Sequence, residues 1–227
     1  MQRSKKAVVL LDVDNTLLDN DRVVADLDRH LAKELGPERK GRYFAIFEEL
    51  REELGYADYL GALQRYRVEN PREPRILEVS SYLVDYPFAN RLFPGSLDVI
   101  DRLGELGPTV ILSDGDVVFQ PRKIERSGLG DAVEGRVLVY IHKEKELDDV
   151  VERYPADHYV LVDDKVRILA AVKAAWGARV TTVFPRQGHY ATDPAELAKY
   201  PRPDVTVERI ADLLAIDFAR LAAGSHD

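Results

Sequence analysis

The sequence predicts an α/β fold: a Rossmann-like parallel sheet carrying an inserted helical module. Three features predict it: five short apolar runs, helical periodicity between them, and a long strandless stretch after the first run. The runs are Ala7 to Leu11, Thr109 to Leu112, Arg136 to Ile141, Tyr159 to Val162 and Val180 to Phe184. Strands that alternate with helices imply right-handed crossovers and therefore parallel pairing. The first run is continuously aliphatic, the pattern of a strand covered by helices on both faces.

Each element follows from its local pattern. Val23, Leu27, Leu31 and Leu35 recur every four residues, and Tyr43, Phe47, Leu50 and Leu54 recur at steps of three and four, so both spans predict amphipathic helices. Asn70-Pro71-Arg72-Glu73-Pro74 interrupts this module, because a proline disfavours helix in the residue before it. The module spans 20–89, and the core domain takes 1–19 and 90–227, with Phe93-Pro94-Gly95 starting the return. Leu97, Ile100 and Leu103 predict a helix before the second strand, and Leu147 with Val151 one before the fourth. Ile168, Val172 and Trp176 predict another before the fifth, stopped by Gly177. Ala222 to Asp227 read as a frayed tail.

Composition narrows the function classes. A chain of 227 residues buries roughly 70% of its unfolded surface and needs no staples. It has no cysteine, which excludes disulfides, thiol catalysis and cysteine-ligated metals. A net charge of -8 argues against a nonspecific nucleic-acid binder, although the 32 Lys and Arg suffice to line one anionic-ligand site. No apolar stretch approaches the ~20 residues needed to span a bilayer, and the opening MQRSKKAVVLLDVD meets acids too early for a signal peptide. The expectation is a cytoplasmic protein with no nucleic-acid or membrane partner; oligomeric state stays open.

Polar residues gather at the strand ends. Asp12 and Asp14 follow the first strand, Ser113-Asp114-Gly115 the second, Lys143 and Lys145 the third, and Asp163-Asp164 the fourth. Taken singly, each is ordinary cap, turn or solvated-surface chemistry. Together they put several carboxylates, a hydroxyl and an amine on one rim of one sheet, where open α/β folds bind ligands. Carboxylates within ~4 Å of one another repel by several kcal/mol per pair, so a positive charge must sit among them. A hard divalent cation with oxygen ligands, Mg²⁺, suits a site without histidine or cysteine ligands.

Asp12-Val13-Asp14-Asn15-Thr16, Ser113, a downstream lysine and Asp163-Asp164, each after an apolar strand, resemble the four motifs of the haloacid dehalogenase (HAD) superfamily. The insertion resembles a helical C1-type cap, and Pro94-Gly95 and Pro203-Asp204-Val205-Thr206 before a final helix are similar to phosphatase-like members. The resemblance implies that Asp12 is a nucleophile forming an aspartyl-phosphate, and that Asp14 protonates the leaving oxygen and then activates water. It implies that Thr16, Ser113, Asp114 and Lys143 bind the phosphoryl group, with Lys143 also neutralising Asp12. Mg²⁺ would be held by Asp12, the Asp14 backbone carbonyl, Asp163 and Asp164. Dehalogenating relatives lack the second acid of the first motif, so Asp14 favours phosphoryl transfer. The implied activity is hydrolysis of a small phosphorylated metabolite. Rivals are a dehalogenase or phosphotransferase on the same fold, and a phosphoacceptor module without turnover.

Two departures stand out: the lysine motif is His142-Lys143-Glu144-Lys145 without a Lys-Pro pair, and Arg167 stands where a further acid would follow Asp163-Asp164. Lys143 is preferred to Lys145 because it lies nearer the strand end. His142 and His189 read as structural or solvated, and Phe184 to Tyr190 as a surface loop. Arg42, Arg65, Arg67, Arg72 and Arg75 could meet an anionic leaving group, but read as the wet face of cap helices. Tyr43, Phe44 and Phe47 read as cap core.

Overall fold

The computed structural model describes residues 7–217 and Leu221. Its strands β1 (Ala7–Leu11), β2 (Thr109–Asp114), β3 (Val137–Tyr140), β4 (His158–Val162), β5 (Val180–Pro185) and β6 (Val205–Val207) form one sheet, all parallel, in the order β3-β2-β1-β4-β5-β6. The five expected runs are the first five strands. β6 pairs only Val205 to Val207 with β5 and is too short to stand out as an apolar run. β2 extends through Ser113 and Asp114, so these residues end a strand instead of opening a turn.

Helices α1 (Asn20–Leu35), α2 (Pro37–Leu54), α3 (Tyr59–Glu69) and α4 (Ile76–Asp85) fill the stretch after β1, and α5 (Ser96–Gly104) leads into β2. On the other crossovers lie α6 (Phe119–Ser127), α7 (Leu129–Ala132), α8 (Leu147–Arg153), α9 (Val166–Trp176) and the short α10 (Pro194–Leu197). The proline-rich break falls between α3 and α4, as expected. Leu97 is 44% exposed, contrary to expectation, because a helix beginning at Ser96 turns Ser96, Val99, Ile100 and Leu103 inward. Val150 likewise takes the core place expected of Val151. The expected final helix is a 3₁₀ segment, Ile210–Ala215, and the tail Ala222 to Asp227 lies outside the described residues.

Alternation along β1 divides the core. Val8 and Leu10 pack with α8 and α9 through Val150, Ile168, Leu169 and Val172, while Val9 and Leu11 face the layer containing α5. That second layer runs on into the inserted helices through Leu17, Leu18, Tyr59, Phe88 and Phe119. Tyr59 and Phe88 lie 5.3 and 5.8 Å from the Phe119 ring, so aromatic packing joins the two regions. The chain crosses between them twice, and the passages are tied by an antiparallel bridge between Leu18 and Leu92 and by Asp19 N donating to Arg91 O at 2.7 Å. Ser96 Oγ adds a 2.7 Å bond to Leu17 O.

The strand order places the topological switch at β1 and β4, since the chain builds outward from β1 to β3 on one side and from β4 to β6 on the other. The acids at the carboxyl ends of both strands therefore flank the crevice where such sheets bind ligands. At the far edge, Asp204 secures β6. Its Oδ2 accepts from Lys173 Nζ at 2.8 Å, Thr182 N at 2.8 Å and Thr182 Oγ1 at 2.9 Å. Burial alone would raise the Asp204 carboxyl, but these donors hold it below its ordinary value. Asp204→Ala is expected to lower unfolding free energy by about 1.5 to 3 kcal/mol at neutral pH in urea titrations. A depressed folded-state value means this contribution is complete above the ordinary aspartate value of about 3.9 and fades as pH falls through the folded value. Equal stability of variant and parent at neutral pH would contradict this account.

Candidate active site

The turn after β1 sends its two acids in different directions. Asp12 N still donates to Val162 O at 3.0 Å, continuing the β1–β4 ladder for one residue. Val13 O then accepts from the backbone N–H groups of Thr16, Leu17 and Leu18, which closes a tight turn with Asn15 at φ +60°. Asparagine tolerates this left-handed conformation, and its amide locks to Asp21, with Asp21 N on Asn15 Oδ1 at 3.1 Å. Gly188 must be glycine here: its φ is +71°, and an added Cβ would lie 2.5 Å from Asn15 Cβ.

Asp12 is 3% exposed, and both of its oxygens are engaged. Lys143 Nζ donates to Oδ1 at 2.5 Å and Thr16 Oγ1 to Oδ2 at 3.0 Å. The same Lys143 amine lies 2.6 Å from Asp163 Oδ2 and donates to Leu112 O at 3.2 Å. Asp114 Oδ1 accepts from Lys143 N at 2.8 Å and so fixes the turn that delivers this lysine. Burial would lower the Lys143 ammonium, but Asp12, Asp163 and Asp114 outweigh it and hold it above the ordinary lysine value. Burial pushes Asp163 and Asp164 upward, and neighbouring carboxylates add to the effect, while Lys143 and Lys165 oppose it.

These carboxylates suit a hard cation. Ligand oxygens of Asp12, Asp163 and Asp164 all lie within 4.8 Å of one another. Both oxygens of Asp164 are buried without a hydrogen-bond partner, an arrangement that a divalent ion would relieve. The Asp14 side chain stands outside this triad. Its Oδ1 accepts from Lys123 Nζ at 2.6 Å and its Oδ2 from Gln120 Nε2 at 3.3 Å. It lines a cavity of about 920 Å³, together with Asp164 and Asp114 from the strand ends and Phe44, Phe47 and Arg51 from α2.

A model of the haloacid dehalogenase-like hydrolase family matches residues 6–176. The chain belongs to that family. A proposed haloacid dehalogenase-like hydrolase from Burkholderia xenovorans LB400 is similar at 67% identity, covering 94% of this chain and 99% of that one, with a TM-score of 0.89. A proposed HAD hydrolase from Bacillus subtilis, bound to magnesium, is 16% identical over 94% and 98% of the two chains, with a TM-score of 0.60. An L-2-haloacid dehalogenase from Xanthobacter autotrophicus is 20% identical over 93% and 97%, with a TM-score of 0.59. At those identities the last two share the fold alone. No curated protein matches the chain.

In this HAD-like hydrolase, the structure brings Asp12, Thr16, Lys143, Asp163 and Asp164 together. Thr16 departs from its expected phosphate contact: it is fully buried, its hydroxyl donates to Asp12 and accepts from Asp164 N at 3.0 Å, and it therefore braces the acids. Ser113 is also buried, accepting from Gln120 Nε2 at 2.9 Å. Lys143, not the exposed Lys145, reaches Asp12.

The segment after β5 is more than the surface loop expected of it. Buried Gln187 donates to Thr16 O at 3.2 Å, and His189 and Tyr190 line the cavity. His189 Nδ1 lies 2.6 Å from Asp21 Oδ1, and His142 also lines the cavity. Arg42, Arg65 and Arg75 pair with Glu69, Glu53 and Glu34, while Arg67 and Arg72 are exposed; from the inserted helices it is Arg51 that lines the cavity, and it donates to Tyr190 OH at 2.6 Å. Tyr43 and Phe47 are buried in the core as expected and Phe44 packs against it, while Phe44 and Phe47 also line the cavity. Gln120, Lys123, Arg51 and Lys165 were not singled out from the sequence, although Gln120 and Lys123 left a signal as polar residues on the apolar face of α6. Lys143→Met would strand Asp12 and Asp163 and is expected to lower stability by about 3 to 5 kcal/mol in metal-free urea unfolding. Lys145→Met should stay within about 0.5 kcal/mol of the parent. Equal effects of the two substitutions would reject the assignment of the buried amine.

Proposed function

We propose that this chain is a magnesium-dependent phosphomonoesterase with a C1-type cap, acting on a small phosphorylated metabolite. One observation carries the reading: a second carboxylate, Asp14, lines the cavity two residues beyond the enclosed Asp12. Carbon–halogen cleavage releases a halide that needs no proton, whereas an alcohol leaving a phosphate gains from an acid at its oxygen. Arg51, Lys145 and Lys165 on the cavity wall support an anionic substrate.

In this mechanism a carboxylate oxygen of Asp12 attacks phosphorus and forms an aspartyl-phosphate. The bond from phosphorus to the alcohol oxygen breaks, and Asp14 gives that oxygen its proton. Asp14, now a carboxylate, then takes a proton from water as the water attacks the same phosphorus, which releases phosphate and restores Asp12. Lys143 and Thr16 hold the Asp12 carboxylate in one orientation, and Lys143 balances charge that builds on the phosphoryl group. Mg²⁺, held by Asp12, Asp163, Asp164 and the Asp14 carbonyl, would supply charge neutralisation for the phosphate.

A screen of phosphomonoesters with Mg²⁺, run beside a halide-release assay on L-2-chloropropionate, tests the reading. The expected result is phosphate release that a chelator abolishes and that Asp12→Asn reduces at least roughly a thousandfold, with no halide released. Halide release without metal, insensitive to Asp14→Ala, would instead select the dehalogenase. Phosphate passing to a second sugar in place of water would select a phosphotransferase. A stable phosphorylated protein without turnover would select the phosphoacceptor.

A further inference from the structure

Helix α6 places two polar side chains against Asp14 that no motif at the strand ends accounts for. Lys123 is 1% exposed and shares the inward face of α6 with Phe119 and Ile124, where an apolar residue would normally pack. A buried ammonium is unfavourable unless it is paired, and this one has two partners: Asp14 Oδ1 at 2.6 Å and Asn20 Oδ1 at 3.1 Å. Gln120, three residues earlier on the same face, uses its amide nitrogen to span Ser113 Oγ at 2.9 Å and Asp14 Oδ2 at 3.3 Å. Gly115 leaves room for it, since a Cβ there would meet Gln120 Cβ at 2.8 Å.

We propose that Lys123 and Gln120 are positioning residues that aim Asp14 at the leaving oxygen; this rests on the phosphomonoesterase reading above. Each carboxylate oxygen of Asp14 is held from the α6 side, while the group still lines the cavity. An untethered aspartate would spread over several rotamers, and proton transfer requires hydrogen-bond reach of the reacting atom. Asn20 is the first residue of α1, so one ammonium anchors both the acid and the start of the inserted helices. The assisted step balances simply: the Asp12–phosphorus bond forms, the bond from phosphorus to the alcohol oxygen breaks, and the proton moves from Asp14 to that oxygen.

Leaving-group dependence tests this role. p-Nitrophenolate departs without a proton, whereas the more basic phenolate of phenyl phosphate gains from one. kcat/KM covers the steps through departure of the alcohol, so it isolates the acid-assisted event from later hydrolysis. Lys123→Met should lower kcat/KM for phenyl phosphate by about 10- to 100-fold and for p-nitrophenyl phosphate by less than about threefold. Gln120→Met should tilt the two esters in the same direction by a smaller factor, and it carries the test if thermal melting shows that Lys123→Met does not fold. Equal losses on both esters, or no loss on either, would overturn the positioning role. A parent enzyme that hydrolyses neither ester would overturn the phosphomonoesterase reading itself, and the role with it.

Discussion

The buried ammonium of Lys143 is the interaction on which the rest of this site depends. Three carboxylates, from Asp12, Asp163 and Asp164, meet between the ends of β1 and β4, and their mutual repulsion would oppose that arrangement by several kcal/mol per pair. Lys143 arrives from the turn after β3, two strands away from β1, and contacts both Asp12 and Asp163. Its own backbone is held by Asp114 at the end of β2. Four strand ends are thereby joined through one side chain, and the sheet order is what brings them within its reach. Lys165 and Lys143 also offset the charge of Asp164, but its oxygens accept no hydrogen bond, and a divalent cation would complete the arrangement.

Around that centre the fold gives two neighbouring aspartates different surroundings. Asp12 is enclosed between an ammonium and a hydroxyl, whereas Asp14 lines the cavity between α6 and the start of α1. Separation of environment is how a protein assigns different roles to like groups. The turn that achieves it is braced from outside the first strand, by Asn15 on Asp21 and by the close approach of Gly188. The inserted helices contribute to the same wall through Arg51 on Tyr190. Aromatic packing of Tyr59 and Phe88 on Phe119 then links their position to α6, the helix that carries Lys123.

The sequence was legible where chemistry sits beside strong local pattern. A continuous aliphatic strand followed at once by Asp12 and Asp14 marks both the strand and its acids, and the same holds for Asp163 and Asp164 after β4. Lys143 could be preferred over Lys145 by its distance from the strand end alone. Thr16 was visible, but its direction was not, because the turn that buries its hydroxyl depends on Asn15, Gly188 and Gln187, two of which lie far along the chain. Arg51, Gln120 and Lys123 reach the cavity only through tertiary packing, so no spacing relates them to Asp14. Leu97 was misplaced by the phase of a helix whose start could not be fixed, and β6 is too short for its apolar pattern to rise above its surroundings.

The fold family does not by itself decide between carbon and phosphorus. Relatives at 16 to 20% identity include a magnesium-bound hydrolase and a haloacid dehalogenase on comparable scaffolds, so the choice lies in the site. A carboxylate nucleophile oriented by a buried lysine serves attack at either centre. What differs is the departing group: a halide leaves as a stable anion, while an alkoxide needs a proton and a phosphoryl group brings charge that must be balanced. This chain spends a fully buried lysine and a glutamine on holding a second carboxylate at the cavity. On the reading proposed here, that ammonium fixes the direction of the acid from which a departing alcohol takes its proton.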